Sequence, residues 1–382
     1  MQNIFYIGYP LSDAGAPHQA MAALYLAKQG HRVVFFAWGN AKPPGWLAEY
    51  PSLEYQLIPK KGLLSAFKYL LYLVQSFFQY RSDINVVYVQ GAQQTPFLFW
   101  LPWVKGKCKS IYHTQDYLEP GRHPFYESFE LFFAKRADWV ISNEPNRARF
   151  MASNYRLKKM PEVIRTALPS WYEIPERDEN YRQQLLQQAG LEQHKEPRLI
   201  VAGGAYRSDR MGPELLDAFV SLPENYGLVF TWMKPSSIAR IECEKQMQSL
   251  GLKSRVLFLG SLSFPELLKL YACCDIGVLL YPNDGIGHFY QAPGRLTEYL
   301  WCGLPIVTSK FPGLELLVLR HSLGAAANPY CPKLIAEAIQ NLGSLPDALL
   351  FQNRQRLKKY SKTALFYEND ADVVLRKCLA IP

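Results

Sequence analysis

The stretch QAPGRLTEYLWCGLPIVTS, Gln291 to Ser309, gathers the residue types that a phosphate-bearing ligand needs. Pro293 and Gly294 open a helix, Arg295 stands in its first turn, Leu296 follows and Glu298 lies one turn on; Gly303-Leu304-Pro305 then ends the helix ahead of an apolar strand. The unpaired N–H groups at a helix start carry positive dipole and attract phosphate. An arginine beside them adds paired hydrogen bonds to the same oxygens. A carboxylate one turn further accepts hydrogen bonds from two vicinal ribose hydroxyls. One element can therefore hold both the pyrophosphate and the ribose of a nucleotide, with Glu298 expected on the helix surface.

Such residues need sheets to hold them, and the chain supplies two sets of strands. It opens with NIFYIG from Asn3, a loop containing Gly15 and Pro17, the helix-period run AMAALYLAKQ ending at Gly30, and RVVFFAW from Arg32, a β-loop-α-β unit. Further strands are expected at INVVYVQ from Ile84, KSIYH from Lys109 and DWVISN from Asp138. Runs apolar on both faces, alternating with helices, predict a parallel sheet covered on both sides. From Trp171 to Arg198 the composition turns charged and Gln-rich, which reads as a connection carrying a short helix. The pattern then restarts with LIVAGG, GLVFTWM, RVLFLG, DIGVLLYP and LPIVTS, separated by helices such as PELLDAFVSL and PELLKLYACC. The expected fold is α/β, with Rossmann-like doubly wound domains at 1–170 and 199–355 joined by 171–198. They would face a central cleft at the carboxyl ends of their strands, where open α/β sheets take ligands. The helical segment 356–382 is expected to pack back on the first domain.

Composition narrows the partners. At 382 residues two cores are expected, and 49% apolar with 20% charged residues is globular. Lys and Arg outnumber Asp and Glu by 42 to 33, which suits phosphate ligands or an anionic membrane surface. No long basic block accompanies that excess, so nucleic acid is not expected as a partner. Seven cysteines, odd in number and without CxxC or metal-ligand spacing, read as reduced thiols. With no basic start and apolar leader at the N-terminus, a cytoplasmic location is expected. Neither GLLSAFKYLLYLVQSFFQY nor TPFLFWLPWV meets the requirement for a membrane span. In the first of these, Leu64, Phe67, Leu71, Val74 and Phe78 recur at helical spacing and are expected to cover the sheet. Only the first two turns would be exposed, where Lys60, Lys61 and Lys68 suit weak contact with an anionic membrane, peripheral at its inner face.

Here the chain resembles the GT-B-fold glycosyltransferases, especially glycosyltransferase family 4. Pro293, Arg295, Glu298, Tyr299, Gly303, Pro305 and Val307 stand in the register of that family's nucleotide-sugar helix, and VLFLGSLSFPELLKLYACCDIGVLLYP matches the preceding segment, placing Ser261 and Leu262 after its Phe-Leu-Gly turn. A second match, VAGGAYRSDRMGPELLDAF, has the family's interval from Gly204 to a basic residue, here Arg210. The family's first Arg falls on Ala205, and Arg207 is the candidate to compensate. The resemblance implies that Gly204, Arg207 and Arg210 meet the diphosphate. The family's first acidic residue would fall on Tyr290; either the loop carries an insertion and Asp284 in Asp284-Gly285-Ile286-Gly287 acts near the sugar, or that acidic role is absent, as in relatives with a Pro and Lys version of the motif. In the first domain, His113 in SIYHTQD occupies the place of a histidine that touches the donor sugar, with Asp116 close behind, and Gly15 stands for the family's glycine loop. The implied donor is a nucleotide-diphosphate sugar, with UDP-glucose as the default. The implied chemistry is transfer with retention and no metal or other cofactor, to a saccharide or lipid-linked acceptor.

Rival readings differ in what they require. A dehydrogenase needs GxGxxG after a strand and an acidic residue about twenty positions on, which neither GGAYRSDR nor SDAGAPHQ provides. A two-domain sugar receptor leaves the phosphate-directed helix start unexplained. An epimerase of the same fold would act without any acceptor. Asp370-Ala371-Asp372 looks like a metal-binding carboxylate pair, but lies in a terminal helix far from any glycine-rich loop.

Overall fold

A computed structural model describes residues 1–14, 17–62, 64–204, 206–252 and 254–380. The chain divides into two compact units, Met1–Pro169 with Tyr367–Pro382, and Ser170–Phe366. The first unit runs β1 (Asn3–Gly8), α1 (Met21–Lys28), β2 (Arg32–Trp38), β3 (Leu53–Ile58), α2 (Ser65–Tyr80), β4 (Val86–Gln90), α3 (Leu101–Val104), β5 (Lys109–His113), α4 (Pro124–Ala134), β6 (Trp139–Ser142), α5 (Pro145–Asn154) and β7 (Glu162–Val163). Its strands form a parallel sheet in the order β3-β2-β1-β4-β5-β6-β7. Alternate residues of β1 serve opposite faces, as strand geometry requires. Phe5 and Ile7 pack into one core with Tyr69, Leu73, Phe77, Leu101 and Phe133. Tyr6, pointing the other way, stacks between Phe35 and Tyr88 at 4.7 Å from each.

Helix α2 crosses from β3 over to β4 and turns a different stripe inward from the one its spacing favoured. Tyr69, Leu73 and Phe77 are buried, whereas Leu64, Phe67, Leu71 and Phe78 face solvent and Val74 is half-buried. Both stripes are apolar at helical spacing. The Tyr69 ring goes inward because it stacks on Trp38, and its hydroxyl donates to Gln94 Oε1 at 3.3 Å. Exposure is thus not confined to the first two turns.

The second unit runs α6 (Glu179–Gln188), β8 (Arg198–Ala202), α7 (Gly212–Val220), β9 (Tyr226–Phe230), α8 (Ile238–Ser249), β10 (Val256–Phe258), α9 (Phe264–Cys273), β11 (Ile276–Leu279), α10 (Ile286–Phe289), α11 (Gly294–Trp301), β12 (Ile306–Ser309), α12 (Pro312–Arg320), β13 (Gly324–Ala327), α13 (Pro332–Gly343) and α14 (Asp347–Ala364). Its sheet is parallel in the order β10-β9-β8-β11-β12-β13. The chain progresses outward in opposite directions from β8 and β11. The loops leaving their carboxyl ends therefore diverge, the place where such sheets open a ligand crevice.

Two boundaries differ from those expected. The 171–198 segment belongs to the second unit: Arg182 on α6 donates to the Cys273 carbonyl at 2.7 Å and pairs with buried Asp275 at 2.9 Å, while Asp275 accepts from the Leu199 N–H at 2.8 Å. Burying a carboxylate demands such partners, and they fasten the connection to β8. At the other end, the segment 356–382 is two helices. Helix α14 stays with the second unit, where Arg354 donates to the Ala272 carbonyl at 3.0 Å. Helix α15 (Tyr367–Leu379) joins the first, with Tyr367 N–H donating to Leu168 and Asp370 held by Arg165 at 2.7 and 2.9 Å. Asp370 and Asp372 are thus packing residues, the latter bonded to Tyr25. Among the described residues no helix is long and apolar enough to cross a membrane, and no three His, Cys, Asp or Glu side chains are grouped to hold a metal ion.

Candidate functional site

At the carboxyl end of β8 the chain turns through Gly203 and Gly204, two residues whose lack of a side chain is required. A Cβ on Gly203 would stand 2.6 Å from the Tyr271 hydroxyl and 2.7 Å from that of Tyr299. Gly204 has φ +144° and a Cβ there would meet Arg295 Nη1 at 3.0 Å. The turn is pinned from below, because Gly203 N–H donates to the Tyr299 hydroxyl at 2.7 Å and Gly204 N–H to Thr231 Oγ1 at 2.8 Å. Tyr299 is able to reach that far because β11 carries Gly277, where a Cβ would lie 2.3 Å from its ring. Hence the glycines leave room for Arg295, whose guanidinium lies against bare backbone.

Arg295 extends from the first turn of α11, after Pro293 at the cap and Gly294 at the first position. Its Nη2 donates to the Tyr281 hydroxyl at 3.4 Å. Burial alone would push its pKa down, but the oxygens of Tyr281, Tyr299 and Tyr271, with Glu298, outweigh that and hold the guanidinium charged. From the opposite wall comes Arg210, stacked over the Tyr281 ring at 4.9 Å. Its Nη1 donates to the Asp209 carbonyl at 2.7 Å and lies 3.4 Å from His288 Nε2. Asp284 in turn holds His288 Nδ1 at 2.5 Å. Arg210, Arg295, Gly203, Gly204 and Tyr281 line one recess at the ends of β8 and β11. Tyr281 itself is fixed by Ser309, which accepts from its N–H at 2.8 Å and donates to its carbonyl at 2.9 Å.

The expected residues are therefore distributed unevenly. Gly204, Arg210 and Arg295 converge on the recess, with Pro293 and Gly294 forming the helix start beside it. Asp284 joins through His288. Arg207 is turned away, its guanidinium clasped by Asp209 at 2.8 and 2.6 Å. Leu296 is buried within α11, and Ser261 and Leu262 form the approach to α9, where Ser263 and Glu266 cap the helix. Glu298 is 2% exposed, not on the surface as expected. Helix α11 is enclosed, with Trp301 on Phe366 and Tyr299 on Tyr271, so every residue from Leu296 on is inside. Gly15 lies outside the described residues. His288, Tyr281 and Gly203 were missed by the sequence reading; the signal for His288 was its i,i+4 spacing from Asp284.

An alanine at Gly204 has little room and an unfavourable φ. It is expected to push Arg295 aside and to weaken nucleotide binding roughly tenfold, a cost of about 1.4 kcal/mol. Titration with UDP, beside a thermal melt showing a folded protein, checks it.

In the first unit His113 ends β5 and is 6% exposed. Its Nδ1 is 2.7 Å from the Tyr88 hydroxyl. Burial pushes its pKa down to about 4. Asp116 is exposed two residues beyond Thr114, whose hydroxyl donates to the Asp116 carbonyl at 2.9 Å. His113 is thus neutral at neutral pH. Because its folded pKa lies below the unfolded value of about 6.5, its contribution to stability is complete above that value and is lost as pH falls toward 4. The expected loss is on the order of 3 kcal/mol at most, since one pKa unit is about 1.4 kcal/mol. Denaturant melts from pH 7 to pH 4 should show a shallower acid decline in His113→Gln than in the parent.

The chain resembles known proteins in part of its sequence and in its fold. Residues 179–364 match the family model described as Glycosyl transferases group 1. No curated protein sequence matches the chain. Among solved structures, Anabaena Alr3699/HepE in complex with UDP-glucose is 16% identical, with a TM-score of 0.76 over 99% of each chain. Sucrose-phosphate synthase from Thermosynechococcus elongatus is 18% identical, with a TM-score of 0.74 over 99% of this chain and 98% of that one. WaaG, a glycosyltransferase involved in lipopolysaccharide biosynthesis, is 16% identical, with a TM-score of 0.69 over 98% of this chain and 99% of that one. The fold is that of the GT-B glycosyltransferases. The family match spans nearly all of the second unit, the one that holds the recess, and bears out the resemblance read from Gln291 to Ser309.

Proposed function

We propose that this chain is a glycosyltransferase that moves a hexose from a UDP-sugar, UDP-glucose being the first donor to test, onto a saccharide or lipid-linked saccharide in the synthesis of a polysaccharide or glycoconjugate. The observation that carries the reading is the convergence of Arg210 and Arg295 on the bare turn Gly203-Gly204 at the switch point of the second sheet. Complexes of Alr3699/HepE with UDP-glucose and with UDP support the choice of nucleotide.

In this reading the diphosphate lies over the two glycines, between both guanidinium groups and against the N–H groups at the start of α11. Glu298 takes the ribose hydroxyls from beneath. As the bond from the sugar to the diphosphate breaks, the charge that builds on the departing oxygen meets cations already in position, so little reorganisation is needed. The two arginines would supply the charge that a divalent metal supplies elsewhere, and Asp284 acts at one remove, bracing Arg210 through His288. The roles of His113 and Asp116, at the carboxyl end of the first sheet, toward the transferred sugar rest on the family resemblance alone. Retention of configuration and the absence of a metal are parts of this proposal that rest on the family resemblance.

Incubating the protein with labelled UDP-glucose, other UDP-sugars and a panel of saccharide acceptors, in the presence of EDTA, tests it. Acceptor-dependent release of UDP is expected. Conversion of a UDP-sugar to its epimer without acceptor would replace the proposal with an isomerase.

A further inference from the structure

Helix α2 carries two apolar stripes on opposite sides, and only one of them meets the sheet. Tyr69, Leu73 and Phe77 face the core; Leu64, Phe67, Leu71 and Phe78, spaced to share a line half a turn away, face out, with Phe67 56% exposed. A helix that only covers a sheet shows polar residues outside. The next helices on the same face of the sheet repeat the anomaly. Phe99 and Trp103, the latter 67% exposed, lie on and before α3, and Phe125, 62% exposed, lies on α4. These rings join half-buried neighbours: Phe99 and Phe125 contact Phe129 at 6.5 and 5.1 Å, and Trp103 contacts Phe132 at 5.4 Å. Three successive helices, all packed on one core, thus show aromatic and aliphatic side chains outward. Isolated exposed apolar residues need no explanation, but a shared face does.

Charge says what covers it. Between Glu54 and Asp116 the chain has seven Lys and Arg against one acidic residue, Asp83. The first unit has 21 basic and 14 acidic residues, a net +7, so most of the +9 of the chain resides there. Two cations lie over rings of this face, and others rim it just past the ends of α2 and α3. Arg81 lies over the Phe78 ring at 5.7 Å, Arg136 over Phe132 at 3.9 Å, and Arg81, Lys105, Lys107 and Lys109 line one recess. Of these, Lys105 is paired with Asp138. A second copy of the chain fits poorly, because a two-fold contact would bring this cationic face against the same cationic face of the other copy.

We propose that the outer face of α2, α3 and α4 docks on an anionic lipid bilayer, its apolar side chains entering the headgroup boundary while Lys60, Lys61, Lys68, Arg81 and Lys107 meet lipid phosphates. A wide apolar face with a cationic rim is what interfacial helices require, and lysine and arginine attract anionic leaflets over a Debye length. Docking of this kind holds the first unit at the surface where lipid-linked acceptors reside, but it does not depend on the donor reading and is tested without substrate.

The test is sedimentation of the full chain with vesicles of phosphatidylcholine, with and without phosphatidylglycerol. Pelleting is expected only with phosphatidylglycerol at low salt, and should fall at least tenfold at high salt. Phe67→Ser with Leu71→Ser, and separately Arg81→Glu with Lys107→Glu, should each reduce it at least tenfold while leaving the thermal melt unchanged; all four positions are solvent-exposed. No pelleting at low salt overturns the proposal. Pelleting untouched by both variants places any membrane contact elsewhere and overturns it as well. Concentration-dependent dimerisation that Phe67→Ser with Leu71→Ser abolishes would assign the face to a second copy instead.

Discussion

Arg295→Met is expected to weaken UDP binding roughly 100-fold, about 3 kcal/mol, while the protein stays folded. The guanidinium lies against Gly203 and Gly204, which keep a clear approach to it, and donates to Tyr281. Charge-assisted hydrogen bonds to phosphate are about twice as strong as neutral ones, and the recess strengthens them by limiting water. Methionine keeps the length and apolar stem of the side chain, so the fold loses little. Arg295→Lys should recover only part of the affinity, because a point charge cannot make the paired contact. Isothermal titration of the three proteins with UDP, beside thermal melts, reads this directly. Equal dissociation constants would remove Arg295 from the site.

For Glu298→Gln the expected loss is roughly 10- to 100-fold in UDP affinity, from two hydrogen bonds to a charged acceptor at about 1.5–3 kcal/mol in all. Glutamine is the right probe because Glu298 is enclosed; alanine would leave a hole in α11 and confound binding with stability. The specific outcome is a double difference. UDP lacking both ribose hydroxyls should bind the parent and the variant alike, since the partner of the carboxylate has gone from both. If Glu298→Gln weakened both ligands equally, the residue would act through the packing of α11 and not on the ribose.

Much of the second unit was legible because its signals are local. The alternation of buried strands with helices, the Pro293-Gly294 helix start and the stop at Gly303, where φ is +79°, all lie within short windows of sequence. What failed was whatever needed a non-local partner. Two apolar stripes on α2 satisfy the same periodicity, and only the Trp38 ring and Gln94 decide which one turns inward. Glu298 looked like a surface residue on helical spacing alone, although Leu296, Tyr299, Leu300 and Trp301 surround α11 with apolar side chains and already imply an enclosed helix. The helical pattern near the C-terminus gave no sign that the chain passes from one unit to the other at Phe366, because α14 and α15 are both amphipathic and nearly contiguous. Arg207 and Arg210 were indistinguishable by type, and the structure separates them: Asp209 clasps Arg207 through Nε and Nη2, whereas Arg210, 3.5 Å from the same carboxylate, lies over the Tyr281 ring in the recess.

The central claim, that the recess between β8 and β11 binds a nucleotide diphosphate with its own cations, is tested most directly by titrating the full chain with UDP in EDTA. The account predicts one binding site per chain, an unchanged dissociation constant when magnesium or manganese is added, and competition by UDP-glucose. Binding that vanishes in EDTA and returns with either metal, or no binding under any of these conditions, would contradict it.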